Sequence, residues 1–174
     1  MEDLKKYIRS VPDFPKPGIN FYDITTLLMD PDGFRRALDE MEAYVKSRGA
    51  KKIISIESRG FVFGAALADR LGVGLITARK PGKLPYKTVS ESYDLEYGTD
   101  SLEMHADTVS DGEKVVIVDD LIATGGTLQA ACKMVEKLGG EVVGISVVID
   151  LSFLPWREKL DGYDVHYLIS YDSE

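Results

Sequence analysis

The chain has 174 residues, 44% hydrophobic and 29% charged, the balance of one soluble globular domain and too apolar for a disordered segment. Its 21 basic against 29 acidic side chains give a net charge of −8, which disfavours nucleic acid and anionic membranes as partners but leaves room for a local basic pocket. One cysteine, Cys132, and two histidines, His105 and His166, exclude an intramolecular disulfide framework and leave little for a cysteine- or histidine-built metal site.

In chain order, Met1–Ser10 lacks the apolar core of a secretory signal, and a reduced, cytoplasmic setting is expected. Asp30-Pro31-Asp32-Gly33 reads as a helix start, followed by Phe34, Ala37, Leu38, Met41 and Val45 at helical spacing up to Gly49. Lys52–Glu57 reads as a strand, Phe61–Leu71 as a helix stopped by Gly72, and Val73–Ala78 as a second strand. Arg79, Lys80, Lys83 and Lys87 then form a basic run with no acid, a local reversal of sign. From Glu91 to Glu113 there are eight acids and no Lys or Arg, which reads as a solvated flap with a strand at its end.

Val115–Val118 is a continuous β-branched run of the kind buried on both faces of a parallel sheet. Leu128, Ala131, Cys132, Val135 and Leu138 make one helical face, ended by Gly139-Gly140, which places Cys132 in the core. Val142–Ile149 is another buried strand, far short of the ~20 residues of a membrane span, and Val165–Ile169 an edge strand. Strands alternating with helices predict an α/β fold: a single domain over residues 1–174, with a doubly wound, mostly parallel sheet flanked by helices. Ligands of such sheets bind beyond the carboxyl ends of the strands.

Three strand ends carry unusual chemistry. After Val115–Val118 come Asp119-Asp120, then Leu121-Ile122-Ala123-Thr124-Gly125-Gly126-Thr127 and a helix. Small residues at a helix N-terminus leave backbone N–H groups, reinforced by the helix dipole, free to bind an anion. Thr124 and Thr127 add hydroxyl donors. The chain has neither a Gly-Lys-Ser/Thr phosphate loop nor a Gly-x-Gly-x-x-Gly fingerprint. Carboxylates repel phosphate, so Asp119 and Asp120 must face another group, and a ribose 2′,3′-diol donates the two hydrogen bonds they accept. At the second strand end Ser58-Arg59-Gly60 opens the next helix, with Arg59 a planar, permanently charged fork suited to phosphate oxygens. The third is the basic run from Arg79.

The run Val115–Thr127 resembles the 5-phosphoribosyl 1-pyrophosphate (PRPP) signature of type I phosphoribosyltransferases. Phe14-Pro15-Lys16-Pro17-Gly18-Ile19 with Phe21 and Asp23-Ile24-Thr25, Glu57-Ser58-Arg59-Gly60-Phe61, Arg79-Lys80-Pro81-Gly82-Lys83-Leu84-Pro85 and Leu95-Glu96-Tyr97-Gly98 resemble one branch, the adenine phosphoribosyltransferases. The resemblance covers most of the chain. It implies a small N-terminal hood over residues 1–30 and a basic loop with a mobile flap over residues 80–105. It implies a homodimer that converts adenine and PRPP to AMP and pyrophosphate, with Mg²⁺ held mainly through substrate oxygens.

On this resemblance Asp119 and Asp120 hold the ribose, and Ala123, Thr124, Gly125, Gly126 and Thr127 hold the 5′-phosphate. Ser58, Arg59, Arg79 and Lys83 hold pyrophosphate, Arg79 in the same site or across a dimer interface, and the Glu57–Ser58 bond is a candidate cis peptide. Asn20, Phe21, Tyr22 and Leu151 form the base site, with Asn20 and Tyr22 reading the purine through backbone. Glu96 transfers a proton to the purine ring and Tyr97 closes the flap. Tyr22 stands where many relatives carry a basic residue, and Pro155-Trp156-Arg157 where many carry Gly-Arg. Trp156, His105 and His166 have no partners at metal or nucleophile spacing and read as structural. Two rivals stay open: a non-catalytic PRPP- or purine-sensing domain, disfavoured by the acidic charge and the lack of spare chain for a DNA-binding module, and the same enzyme acting on hypoxanthine, guanine or xanthine.

Overall fold

A computed structural model describes residues 2–95 and 98–173. A 3₁₀ helix, Glu2–Tyr7, leads into a short antiparallel pair, β1 (Arg9–Val11) and β2 (Phe21–Asp23), and two helices, α1 (Thr25–Met29) and α2 (Pro31–Ser47). Asp30 caps α2 as its sequence predicts, accepting from the Asp32 and Gly33 amides with Pro31 in the first turn.

Then come β3 (Lys52–Ile56), α3 (Gly60–Leu71), β4 (Gly74–Ala78), β5 (Thr88–Asp94), β6 (Thr99–His105), β7 (Lys114–Ile122), α4 (Gly126–Lys137), β8 (Glu141–Leu151), a short α5 (Trp156–Lys159) and β9 (Val165–Tyr171). The order β4-β3-β7-β8-β9 forms one five-stranded parallel sheet.

Both faces of this sheet are covered, which is why Val115–Val118 reads as an unbroken apolar run: all four side chains are fully buried. They alternate between two core layers. Val115 and Ile117 pack with Leu128 and Val135 of α4, whereas Val116 and Val118 pack with Met41 of α2 and Phe63 and Leu67 of α3. Leu4, Tyr22, Ile24 and Leu27 join the second layer and seat the N-terminal hood on the sheet. Cys132 is buried in the first layer as predicted.

The acidic stretch departs from its prediction. Instead of a mostly solvated flap, β5 and β6 pair as an antiparallel hairpin from Thr88↔His105 to Asp94↔Thr99. Tyr93, Leu102 and Met104 are buried beside α4 in the first layer. Its acids are also partnered, Glu91 by Lys137, Asp100 by Lys80 and Glu113 by Lys52. The hairpin escapes a reading by charge because its apolar residues are few and every cation that partners it lies outside the acidic run.

The buried hairpin makes Leu102 a core residue. Leu102→Ala should lower the unfolding free energy by about 2–4 kcal/mol, the cost of a cavity at a fully buried leucine. A urea midpoint unchanged from wild type would return the segment to the surface.

Candidate active site

In the sheet order, the chain runs from β3 outward to β4 on one side, and from β7 to β8 and β9 on the other. The direction reverses between β3 and β7, and a crevice opens beyond their carboxyl ends. There lies a cleft of about 250 Å³, lined by Glu57, Ser58 and Arg59 after β3, Lys80 after β4, Tyr93 of β5, and Asp119 through Gly125 with Thr127. The sequence-predicted Ser58, Arg59, Asp119, Asp120, Ala123, Thr124, Gly125 and Thr127 are thus brought together, and Gly126 starts α4 beside them. The Glu57–Ser58 peptide is cis.

Both helices that open at this cleft lack a side-chain cap, at Arg59 for α3 and at Gly125 for α4. Of the helices that start elsewhere, α2 is capped by Asp30, and the short α1 and α5 have no side-chain cap. The N-terminal ends of α3 and α4, with their dipoles, meet at the cleft, an arrangement for anions.

A second, apolar groove lies under the hood, lined by Val11, Phe14, Phe21, Asp23, Thr25 and Arg59. Phe14 and Phe21 meet edge to face with centroids 5.2 Å apart. Arg59 borders both cavities: its Nε is 2.8 Å from Asp120 Oδ2, and its guanidinium lies 5.1 Å from the Phe21 ring centroid. Of the four residues expected at the base, Phe21 faces this groove. Tyr22 turns into the core, stacks on Tyr171 at 3.9 Å and donates its hydroxyl to the Ser173 carbonyl. Asn20 Oδ1 accepts from Ser10 Oγ at 2.6 Å, and Leu151 ends β8 in the layer that holds Tyr22. Glu96 and Tyr97 lie outside the described residues.

The phosphoribosyl transferase domain family matches residues 35–165. An adenine phosphoribosyltransferase of Solibacter usitatus is 55% identical over 99% of this chain and 100% of its own length. The crystal structure of adenine phosphoribosyltransferase from Thermoanaerobacter pseudethanolicus superposes with a TM-score of 0.94 at 53% identity, covering 98% of this chain and 99% of that one. The Saccharomyces cerevisiae enzyme, solved with adenine and an imino-altritol bisphosphate, gives 0.91 at 37% identity over 96% of this chain and 97% of its own. The chain belongs to the adenine phosphoribosyltransferase family. It is a purine salvage transferase that converts adenine and PRPP to AMP and pyrophosphate.

The charges of this phosphoribosyltransferase cleft are arranged in pairs. Asp119 and Asp120 are only 9% and 5% exposed, and Asp119 Oδ1 accepts from the Asp120 amide at 2.9 Å. Burial first, and then the neighbouring Asp120 charge, push the Asp119 carboxyl well above the usual range. Glu57 is also buried, which works against its charge. Hydrogen bonds from Lys83 Nζ at 2.7 Å and Arg79 Nε at 2.8 Å outweigh that burial and hold its carboxyl below the ordinary glutamate value. Lys83 and Arg79, expected on pyrophosphate, are therefore engaged by Glu57 at the edge of the cleft. Lys80, which the sequence reading left unassigned, lines the cleft and pairs with Tyr93 and Asp100 of the hairpin. Its one visible sign in the sequence is its place in the basic run directly after a strand end.

Two outcomes test this geometry. A Cβ on Gly60 would stand 2.8 Å from Asp119 Oδ1 and 3.2 Å from the Asp119 Cα and the Val118 carbonyl. Gly60→Ala should therefore displace the acid and raise KM for PRPP by about 10- to 100-fold, the effect of roughly 1 Å of misplacement, with an unchanged circular dichroism spectrum. Because the Glu57 carboxyl is held low in the fold, its pairing stabilises the protein above the ordinary glutamate value, and that contribution is lost as pH falls through the depressed value. Glu57→Gln should cost no more than about 1 kcal/mol at pH 7, since solvent screens the partly exposed cations, and should flatten the acid side of the stability profile. A steeper acid decline in the variant would refute the pairing.

Proposed function

We propose that the cleft holds PRPP, the hood groove holds adenine, and the new bond forms between them beside Arg59. The observation that carries this reading is the position of Arg59, which borders both cavities and reaches Asp120 on one side and Phe21 on the other. Phe14 and Phe21 offer an apolar slot for a flat heteroaromatic ring. Asp119 and Asp120 accept the ribose hydroxyls, and the amides and hydroxyls of Ala123–Thr127 bind the 5′-phosphate. N9 of adenine then displaces pyrophosphate at C1 of the ribose, through a state with oxocarbenium character.

Negative charge builds on the departing pyrophosphate. Arg59, the positive dipole end of α3 and Lys80 are placed to meet it. Lys83 and Arg79 can exchange Glu57 for a phosphate oxygen, a charge-assisted bond of similar kind. Each preorganised donor is worth about 3–4 kcal/mol at such a site. Glu96 serves as the proton carrier to the purine ring and Tyr97 as the closing contact, both following in sequence the strand β5 whose Tyr93 lines the cleft. Asn20, Tyr22 and Leu151 support the base site, Asn20 and Tyr22 through backbone.

Mg²⁺ fits this site as a companion of the substrate. Asp119 and Asp120 offer hard oxygen donors, and among the described residues no group of three His, Cys, Asp or Glu side chains could hold a metal. When bound, the ion neutralises charge on the pyrophosphate oxygens. We read the enzyme as a cytoplasmic homodimer. Among the described residues no helix is long and apolar enough to cross a membrane. The exposed Val62 of α3 and Leu75 of the edge strand β4 offer an apolar face for a second copy.

Pure protein given labelled adenine, PRPP and Mg²⁺ should form AMP, with chelation by EDTA stopping turnover and added Mg²⁺ restoring it. In competition, kcat/KM should be highest for adenine among adenine, hypoxanthine, guanine and xanthine. Asp119→Asn and Asp120→Asn should weaken PRPP use far more than adenine binding. Unchanged PRPP kinetics in both variants would remove the acids from the ribose site.

A further inference from the structure

The substrate assignments leave one buried charge without a role. Asp150 lies in β8 with no exposed surface, in register with Ile122 of β7 and Ser170 of β9, immediately before Leu151. Its carboxylate accepts from the indole Nε1 of Trp156 at 2.7 Å and from Ser170 Oγ at 3.0 Å, with Arg157 Nη2 at 3.4 Å. Removing a carboxylate from water is costly, and an apolar residue of similar volume often stabilises a core as well or better. A buried indole needs an acceptor, but a neutral carbonyl would serve. An ionised acceptor makes the stronger and more directional bond, so the pair fixes the ring more firmly than packing requires.

The backbone and Cβ of Trp156, held in place through the fixed ring, lie behind the phosphate loop. Trp156 is buried with Ile122 and Leu128. A Cβ on Gly125 would meet its Cβ at 3.1 Å and its Cα and carbonyl oxygen at 3.4 Å. Gly125 has φ of +77° and opens α4, so it is the residue that turns the loop amides toward the cleft. The Arg157 guanidinium sits 4.3 Å from the centroid of the indole. A second strut ties the same elements, Gln129 Nε2 of α4 donating to the Lys159 carbonyl of α5 at 2.8 Å.

We propose that Trp156, locked by Asp150, is a positioning residue for the 5′-phosphate loop, setting the distance between that loop and the ribose acids Asp119 and Asp120. The inference rests on the assignment of Ala123–Thr127 to the 5′-phosphate.

The chain contains one tryptophan, so its fluorescence reports this site directly. Titration of the wild-type protein with ribose 5-phosphate should change the emission saturably, and adenine alone should not. Trp156→Phe keeps a ring but loses the donor to Asp150. Assayed well below its melting transition, it should raise KM for PRPP about ten-fold, the loss of one hydrogen bond to a charged group, with KM for adenine unchanged, and its melting temperature should fall because the buried carboxylate loses its shortest hydrogen bond. Asp150→Asn keeps an acceptor oxygen but not its charge and should raise KM for PRPP by less than Trp156→Phe does, with KM for adenine unchanged. No emission response to ribose 5-phosphate would overturn the proposal. So would equal shifts in both KM values, or activity that merely follows the melting temperature. Failure of the wild-type protein to form AMP would count against the substrate assignment, and the emission titration would still decide the role of Trp156.

Discussion

The parallel pairing of β3 with β7 is the constraint on which the site depends. These strands meet in register from Lys52↔Val115 to Ser55↔Val118, although a helix, a strand and a hairpin separate them along the chain. Pairing brings Ser58–Gly60 beside Asp119–Asp120 and directs the uncapped starts of α3 and α4 at one crevice. The interior cannot be loosened to make this fit, because both faces of β7 are buried and its register is fixed by the alternation of Val115 and Ile117 against Val116 and Val118. Gly60 follows from the same packing: helix α3 lies so close to β7 that a methyl group there would strike Asp119.

Charge is then distributed around the crevice in a way the total of −8 conceals. The cations nearest the cleft rest on carboxylates, Arg59 on Asp120, Arg79 and Lys83 on Glu57, Lys80 on Asp100. A buried Glu57 alone would be costly, and two cations beside it compensate. Partly exposed pairs of this kind contribute little to stability, since solvent screens them. Their use is to keep positive charge oriented at the crevice, where a polyanionic ligand offers a better partner than the carboxylate does. The same logic applies to the hairpin, where Glu91 and Asp100 are partnered by Lys137 and Lys80 from outside it.

Much of this was legible in the sequence because chemistry and periodicity coincide at strand ends. Val115–Val118 announces a doubly buried strand, Asp30-Pro31 a capped helix, and the run from Asp119 to Thr127 a strand end that lines one cleft and opens a helix. What stayed hidden depends on contacts between distant residues. The β5–β6 hairpin looked solvated because Tyr93, Leu102 and Met104 are sparse among acids. Glu57 is invisible as a partner of Lys83 and Arg79 until β3 and β4 lie side by side. Tyr22 belongs to a base-recognition segment by sequence, yet its ring packs on Tyr171 because alternation along β2 sends neighbouring side chains to opposite faces. Backbone remains the only part of Tyr22 that can serve the groove.

Trp156 illustrates the same limit from the other side. In sequence it is a lone aromatic in a segment that departs from many relatives, with nothing at catalytic spacing. In the fold it joins two otherwise unrelated features, a buried Asp150 and a left-handed Gly125. A phosphate loop made of small residues gains close approach to its ligand but has few side chains of its own to hold its shape. The rigidity must therefore come from behind the loop, and here the backbone and Cβ of Trp156 fill that place, with its indole held by a buried carboxylate. Glycine at position 125 is what lets the two segments approach so closely, because a Cβ there would stand 3.1 Å from the Trp156 Cβ.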